Sequence, residues 1–176
     1  MISSALKQLH LRQSAPWIGA LVSAGLLIGA WTFQYGFGYQ PCTMCYWQRH
    51  AHKIVIGISL LALIAPLLKI NISEIFRWTI ILALLASFSV AAWHVGVEFG
   101  WLEGPKECAG GAIGKFPEID PNDPDPLAFL NEKSIKPPAC SEAVWHFLGI
   151  SMAGWNAIIS LISAIWIATS RAKAKA

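Results

Sequence analysis

Four stretches of apolar residues, separated by polar segments, set the pattern of the chain. They run over residues 16–34, 45–68, 77–97 and 147–169. A helix needs about 20 mostly apolar residues to cross the hydrocarbon core of a bilayer, and the first, third and fourth stretches have about that length. The second reaches it only with its polar start, Tyr46 to Lys53, whose long side chains we expect to snorkel toward water at an interface. The pattern predicts an all-α membrane protein, a four-transmembrane-helix bundle in which residues 1–176 form a single membrane domain.

The composition supports lipid as the solvent of this chain. Of its 176 residues 55% are hydrophobic and only 13% are charged, whereas a soluble domain carries roughly 25% charged residues. Basic residues do not alternate with exposed aromatics anywhere in the sequence, so we expect no nucleic-acid partner.

The distribution of charge predicts the orientation of the spans. The N-terminal tail, the link at 69–77 and the C-terminal tail together hold seven Lys and Arg and one acid, whereas the segment from Glu98 to Glu142 holds four Lys and nine acids. Because short cytoplasmic loops carry the excess of Lys and Arg, both termini and the 69–77 link are expected in the cytoplasm. The first span has the basic start of a signal peptide, but the bulky residues Trp31–Tyr35 follow it, so we interpret it as a retained helix.

Four cysteines lie in the segments that this orientation places outside: Cys42, Cys45, Cys108 and Cys140. That side of the membrane permits disulfides. Four cysteines allow three connectivities, and proximity in sequence favours Cys42–Cys45 with Cys108–Cys140 without proving it.

Cys42 and Cys45 form a C-x-x-C directly after Pro41, at the predicted start of the second helix. The positive end of a helix stabilises a thiolate. Arg49 lies one turn after Cys45, and His52 continues the same face, so a fixed cation is expected beside the thiols. A C-x-x-C also occurs in metal sites and as a structural disulfide.

The second pair lies in a predicted loop at 98–146 that is rich in glycine, proline and acids. We expect a mobile extramembrane loop in which a disulfide between Cys108 and Cys140 is exposed and suited to exchange with another protein. The alternative is a structural disulfide, the commonest role of such a pair in an exported segment.

The run Cys42-Thr43-Met44-Cys45-Tyr46-Trp47-Gln48-Arg49 resembles the C-x-x-C-x-x-[EQ]-R signature of the DsbB family, and the four spans and the second cysteine pair extend the resemblance over nearly the whole chain. The resemblance implies a bacterial inner-membrane oxidoreductase that makes disulfides. Cys108–Cys140 would oxidise a DsbA-like periplasmic dithiol protein, with Cys108 as the partner in the mixed disulfide. Cys42–Cys45 would reoxidise the loop pair, and Cys45 would then react with bound ubiquinone or menaquinone, with Arg49 beside the quinone ring.

Three histidines are candidate ligands. His94, near the outer end of the third span, is a candidate for the quinone head or a proton relay, or else an interfacial residue of an aromatic belt. His50 and His52 point about 200° apart on a helix, which disfavours a zinc site, so no metal is expected.

Two other functions fit parts of the pattern. A quinone-linked enzyme of the vitamin K epoxide reductase type shares the four helices and the C-x-x-C, although the position of Arg49 disfavours it. A non-enzymatic tetraspan protein with structural disulfides would explain the cysteines and predicts a dispensable Arg49.

Overall fold

A computed structural model of the chain describes residues 2–68, 73–109 and 139–170. Four long helices make up most of these residues: α1 (Ile2–Trp31), α2 (Thr43–Ile64), α3 (Ser73–Glu98) and α4 (Met152–Thr169). All four are long and apolar enough to cross a membrane. α3 packs against α4 and α2, and α2 packs against α1. The predicted four-helix membrane bundle is confirmed.

Local sequence signals explain where the second helix begins and ends. Cys42 is the N-cap of α2, and its sulfur accepts a hydrogen bond from the backbone N–H of Cys45. At the other end, the helix tightens into a 3₁₀ turn, Ala65–Leu68, that contains Pro66. Proline has no N–H to continue the α-helical ladder, so the change of helix type there is expected.

The fourth helix begins later than the apolar pattern predicts, at Met152 rather than near Phe147. A short antiparallel hairpin precedes it, with strands β1 (His146–Phe147) and β2 (Ile150–Ser151). Its two turn residues, Leu148 and Gly149, have φ of 52° and 77°, the left-handed pair that a two-residue hairpin turn requires. Ser151 then caps α4 by accepting from the backbone N–H of Gly154. Apolar content alone does not distinguish such a hairpin from a helical turn.

The apolar core of the bundle lies toward the end away from the cysteines. Its buried members come from all four helices: Ala15, Val55, Ile80, Ile81, Leu84, Ala164 and Ile167. Gly19 allows α1 to approach closely, since a Cβ there would lie 2.7 Å from Ser59 Oγ and 3.0 Å from Ile80 Cγ2. At the same end, Arg77 at the start of α3 donates to the carbonyls of Ile167 and Ala168, which α4 leaves without helical partners.

Candidate functional site

The two thiols of the C-x-x-C lie at the N-terminus of α2. Their sulfurs are 3.0 Å apart, and the Cys45 backbone N–H donates to Cys42 Sγ at 3.3 Å. Cys42 is buried and Cys45 is partly buried. The arrangement is a dithiol in which the first sulfur receives one backbone hydrogen bond of the helix N-terminus, from Cys45.

Cys42 lies just outside the membrane-spanning part of α2, and its surroundings favour the thiolate. The hydrogen bond from the Cys45 thiol is the largest cause, and it lowers the pKa of Cys42 from 9.0 to about 4. Burial acts in the opposite direction, and contact with His94 lowers this pKa further. A sulfur of this kind is ionised at neutral pH and is therefore a nucleophile or a good leaving group.

His94 is brought to this pair by α3. Its Nε2 lies 3.6 Å from Cys42 Sγ and 3.9 Å from Glu98 Oε1, and its Nδ1 lies 2.9 Å from Gln48 Nε2. The side chain is buried, with 3% of its surface exposed, so the interfacial alternative does not describe it. His94 contacts the thiol pair directly and reaches the cavity described below only through Gln48.

The loop cysteines form a disulfide, Cys108–Cys140. This is the pairing that sequence proximity favours. The prediction that this disulfide is exposed is wrong: Cys108 is 7% and Cys140 1% exposed. An apolar disulfide gains free energy by burial, and here it shares one hydrophobic cluster with Cys42, Met44 and Val97, against which Cys45 packs. Most of the predicted mobile loop, residues 110–138, lies outside the described residues.

Arg49 joins α2 to the end of α1. Its guanidinium donates to Gln34 Oε1 and, at 3.1 Å, to the carbonyl oxygen of Ala30. Tyr46 lies beneath it, with the guanidinium carbon 5.5 Å from the ring centroid. The predicted snorkelling therefore does not describe Arg49, because its partners are protein groups. Lys53, further along α2, is exposed.

A cavity of about 340 Å³ opens between α1, α2 and the start of α4. Two of the predicted site residues, Cys45 and Arg49, line it. Its other lining residues are Gly25, Leu26, Leu27, Gly29, Ala30, Phe33, Gln48, His52, Trp145, Phe147, Met152, Trp155 and Asn156. The wall is mostly apolar with a few polar groups, which is typical of a small-molecule site.

The sequence interpretation missed the roles of Gln48 and Asn156. Asn156 Nδ2 donates to Gln48 Oε1 at 2.6 Å, and both side chains are buried. His52, considered in the sequence as a member of the α2 face and as a disfavoured zinc ligand, forms a hydrogen bond with Asn156 Oδ1 at 2.7 Å. An asparagine inside an apolar span was the available signal, since polar residues at membrane depth are costly and usually paired.

Among the described residues, Cys42, Cys45 and His94 could hold a metal ion, because their ligand atoms lie within 4.8 Å of one another. Thiolate and imidazole ligands suit zinc or a soft metal. His50 and His52 do not contribute: His50 is exposed, and His52 is buried among Ser23, Ser87 and Asn156.

Comparison with known proteins identifies the family. The family described as "Disulfide bond formation protein DsbB" matches residues 12–170. The chain belongs to the DsbB family. Proteins named Disulfide bond formation protein B are similar to it over most of their length: that of Pasteurella multocida is 31% identical, with 94% of this chain and 88% of the relative covered. That of Mannheimia succiniciproducens is 32% identical with the same coverage of both chains, and that of Cupriavidus necator is 30% identical with 85% and 86% covered.

No solved structure gives a significant match. DsbB membership makes the chain a multi-pass membrane oxidoreductase that generates disulfides. It also decides against the two alternatives, the vitamin K epoxide reductase type and a non-enzymatic tetraspan protein.

Proposed function

We propose that this protein reoxidises a DsbA-like periplasmic dithiol protein and passes two electrons through Cys108–Cys140 and Cys42–Cys45 to a membrane quinone, ubiquinone or menaquinone. The observation that carries the proposal is that the α2 thiols lie between the loop disulfide and the apolar cavity. The Cys108–Cys140 disulfide packs in one cluster with them, and the apolar cavity lined by Cys45 and Arg49 adjoins them.

The cavity suits a quinone in size and in chemistry. Gly25 and Gly29 line it, and a Cβ at either position would meet no atom within 4 Å, so the α1 wall leaves open space. Apolar and aromatic side chains suit the ring and the start of an isoprenoid tail, while Arg49 offers a charged donor to a carbonyl oxygen. We assign three residues to the quinone side of the site: Cys45 and Arg49, which line the cavity, and His94, which reaches it through Gln48. A bound quinone would supply an acceptor for two electrons and two protons.

The thiol chemistry of the protein balances in two exchanges. In the first, a donor dithiol is oxidised to a disulfide while the Cys108–Cys140 bond is reduced to two thiols, with Cys108 assigned to the mixed disulfide. In the second, the loop dithiol is reoxidised while a Cys42–Cys45 disulfide is reduced. A loop disulfide beside two free α2 thiols would be the state after the second exchange. Re-forming the Cys42–Cys45 bond then releases two electrons and two protons.

The protein groups around Cys42 serve that last step. His94 and the Cys45 thiol stabilise a thiolate at Cys42, and the 3.0 Å separation places the sulfurs close enough for bond formation after a small movement. Arg49 opposes the cost of a negative charge on Cys45 at the cavity wall, because its guanidinium keeps its proton.

We further propose that the cysteine end of the bundle faces the periplasm and that both termini are cytoplasmic. The support is the basic tails and the link at 69–77, together with the contact of Arg77 with the end of α4, which places that link and the C-terminal tail at one end. An alkaline phosphatase fused after Ala176 should be inactive in a bacterial cell, and one inserted in the 110–138 segment should be active. The reverse pattern would contradict this orientation.

The function is tested by quinone reduction in the purified, detergent-solubilised protein given a reduced DsbA-like donor. Quinone absorbance should fall with turnover in the parent protein and stay constant in the Cys45→Ala variant. Filling the cavity with Gly29→Leu should lower turnover, whereas Gly57→Leu, at a position that is also open but does not line the cavity, should have little effect. Absence of turnover with both ubiquinone and menaquinone would contradict the proposal.

A further inference from the structure

A continuous series of buried polar contacts runs from Cys42 into the middle of the bundle. Its members come from α1, α2, α3 and α4, and all of them are less than 10% exposed. The contacts follow in order: Cys42 Sγ to His94 Nε2 3.6 Å, His94 Nδ1 to Gln48 Nε2 2.9 Å, Gln48 Oε1 to Asn156 Nδ2 2.6 Å, Asn156 Oδ1 to His52 Nε2 2.7 Å, and His52 Nδ1 to Ser23 Oγ 3.1 Å.

The two amides give this series a direction. Asn156 donates through Nδ2, so Gln48 must present Oε1 to it and turn Nε2 toward His94. An amide nitrogen can only donate. His94 Nδ1 must therefore accept, and the proton of the neutral ring lies on Nε2, which faces Cys42 Sγ.

The hydrogen bonds of Asn156 and His52, at the far end of the series, are consistent with the same direction. Asn156 Oδ1 accepts from the hydroxyl of Ser160 at 3.1 Å and lies 2.7 Å from His52 Nε2. With a proton on Nε2, His52 donates to Asn156, and its Nδ1 accepts from Ser23. Reversing one amide would place two donors or two acceptors face to face, so both amides and both imidazoles must reverse together.

We propose that Gln48, Asn156 and His52 are positioning residues that hold His94 in the tautomer whose Nε2–H points at the Cys42 sulfur. The inference deepens the proposed function, since it concerns the thiolate used there. In the opposite tautomer the Nε2 lone pair would face a negative sulfur, and the thiolate would lose a hydrogen bond. In other buried histidines too, the group that is hydrogen-bonded to one ring nitrogen decides which nitrogen carries the proton.

The same three residues line the cavity. The polar part of the cavity wall and the ionisation of Cys42 are therefore coupled through the orientation of two amides. A ligand that turned Gln48 or Asn156 would change the tautomer of His94, so the cavity and the thiol pair can influence each other without direct contact.

The test uses the reduced full-length protein in detergent, without donor and without quinone, so that it is independent of turnover. ¹⁵N-histidine NMR identifies the protonated ring nitrogen, with the His94 signal assigned by its loss in His94→Gln. Ultraviolet thiolate absorbance against pH, taken as the difference from Cys42→Ser, gives the ionisation of Cys42. The titratable groups that face Cys42 are Cys45, His94, Glu98 and, across a small neighbouring cavity, Glu142, and the variants below leave all four in place.

Gln48→Met keeps the length of the side chain and removes the donor to His94. We expect a mixture of His94 tautomers. The midpoint pH of Cys42 ionisation should rise by about one pH unit, which is a tenfold change in proton affinity. Asn156→Leu should act in the same direction, because Gln48 then loses the donor that orients it. Gln48→Glu should retain the low midpoint, because a carboxylate accepts from Nδ1–H and His94 can still carry a proton on Nε2.

Ser163→Ala is the matched control. Ser163 is a buried serine of α4 that donates to the carbonyl oxygen of Ile159 in its own helix and takes no part in the series. In Ser163→Ala, the His94 tautomers and the midpoint pH of Cys42 ionisation should equal those of the parent. Unchanged NMR and titration in Gln48→Met and Asn156→Leu, or an equal shift in Ser163→Ala, would overturn the inference. Loss of turnover with normal tautomer and titration in the parent would count against the proposed function alone.

Discussion

Cys42 combines three local features. It caps a helix, its sulfur lies 3.0 Å from a second thiol, and it contacts a buried imidazole. Each of these favours the anion, while burial opposes it. The balance gives a sulfur that is ionised across the physiological range and enclosed by protein.

The lowered pKa of Cys42 makes a prediction about pH. Because it falls from 9.0 to about 4 on folding, the folded state binds its proton less tightly than the unfolded state. The resulting stabilisation is complete above pH 9 and is lost as pH falls toward 4. The stability advantage of the reduced parent over Cys42→Ser should therefore shrink between pH 7 and pH 4, measured by thermal unfolding. An advantage that grows on acidification would contradict the assignment.

Arg49 makes a second prediction at this scale. Its planar guanidinium donates to Gln34 Oε1 and to the Ala30 carbonyl together, and a lysine ammonium cannot reproduce that paired geometry. An arginine held in this geometry at the cavity wall can donate a charge-assisted hydrogen bond to a bound quinone, and losing one such bond costs about 1.5–3 kcal/mol. In Arg49→Lys we expect quinone affinity, measured by titration, to fall by about tenfold or more. Lys53→Arg, the reverse exchange at an exposed position of the same helix, should leave affinity unchanged, and equal effects in both variants would refute the role of Arg49.

Local spacing identified some of these residues and could not identify others. Cys42, Cys45, Arg49 and His52 lie within a few turns of one helix, so their common neighbourhood follows from helical periodicity. Gln48 and Asn156 are 108 residues apart in sequence, and their contact depends on how α4 packs against α2. The sequence likewise left two alternatives open for His94, a residue of the functional site or an interfacial residue of an aromatic belt. The choice between them depends on its burial.

At the scale of elements, helix boundaries depend on caps and turns, which a hydropathy pattern does not describe. The four spans follow from apolar length. The hairpin at 146–151 contains the apolar residues Phe147, Leu148 and Ile150 and so continues the apolar stretch of the helix that it precedes. Leu148 occupies a left-handed conformation that a leucine rarely adopts. The start of α4 is set by the Ser151 cap and the close contact of Gly154 with the hairpin, which are features of turn geometry.

Gly154 gives a test of that contact. A Cβ at this position would lie 2.6 Å from Ile150 Cγ2, so Gly154→Ala must displace the Ile150 side chain, and overpacking of this kind costs about 1–3 kcal/mol. Gly57→Ala, where a Cβ meets nothing within 4 Å, should instead gain about 0.5–1 kcal/mol from helix propensity. Unfolding in mixed SDS micelles measures both. Equal stability changes in the two variants would contradict the close contact.

At the scale of the whole molecule, the two ends of the bundle differ in their chemistry. One end has the apolar core and the Arg77 contacts with α4. The other gathers the two cysteine pairs, His94 and the cavity. The proposed electron transfer would pass only between neighbouring groups, from the loop disulfide to the α2 thiols and from Cys45 to the cavity.

The collection of the cysteines at one end could be predicted from charge and span count. The burial of Cys108 and Cys140 could not, because a segment rich in glycine, proline and acids predicts exposure, and the contacts with Met44 and Val97 come from distant elements. On the proposed function, a donor protein would have to displace part of this cluster to reach the buried loop disulfide.

The central claim is that Cys42–Cys45 is the pair that delivers electrons to the quinone. It is tested most directly by a single turnover of the fully reduced Cys108→Ala/Cys140→Ala variant with one equivalent of ubiquinone and no donor, followed by thiol counting with maleimide and mass spectrometry. The account predicts loss of both remaining thiols and reduction of one quinone per protein. Thiols that stay reduced in this variant, while the parent chain oxidises under the same conditions, would contradict it.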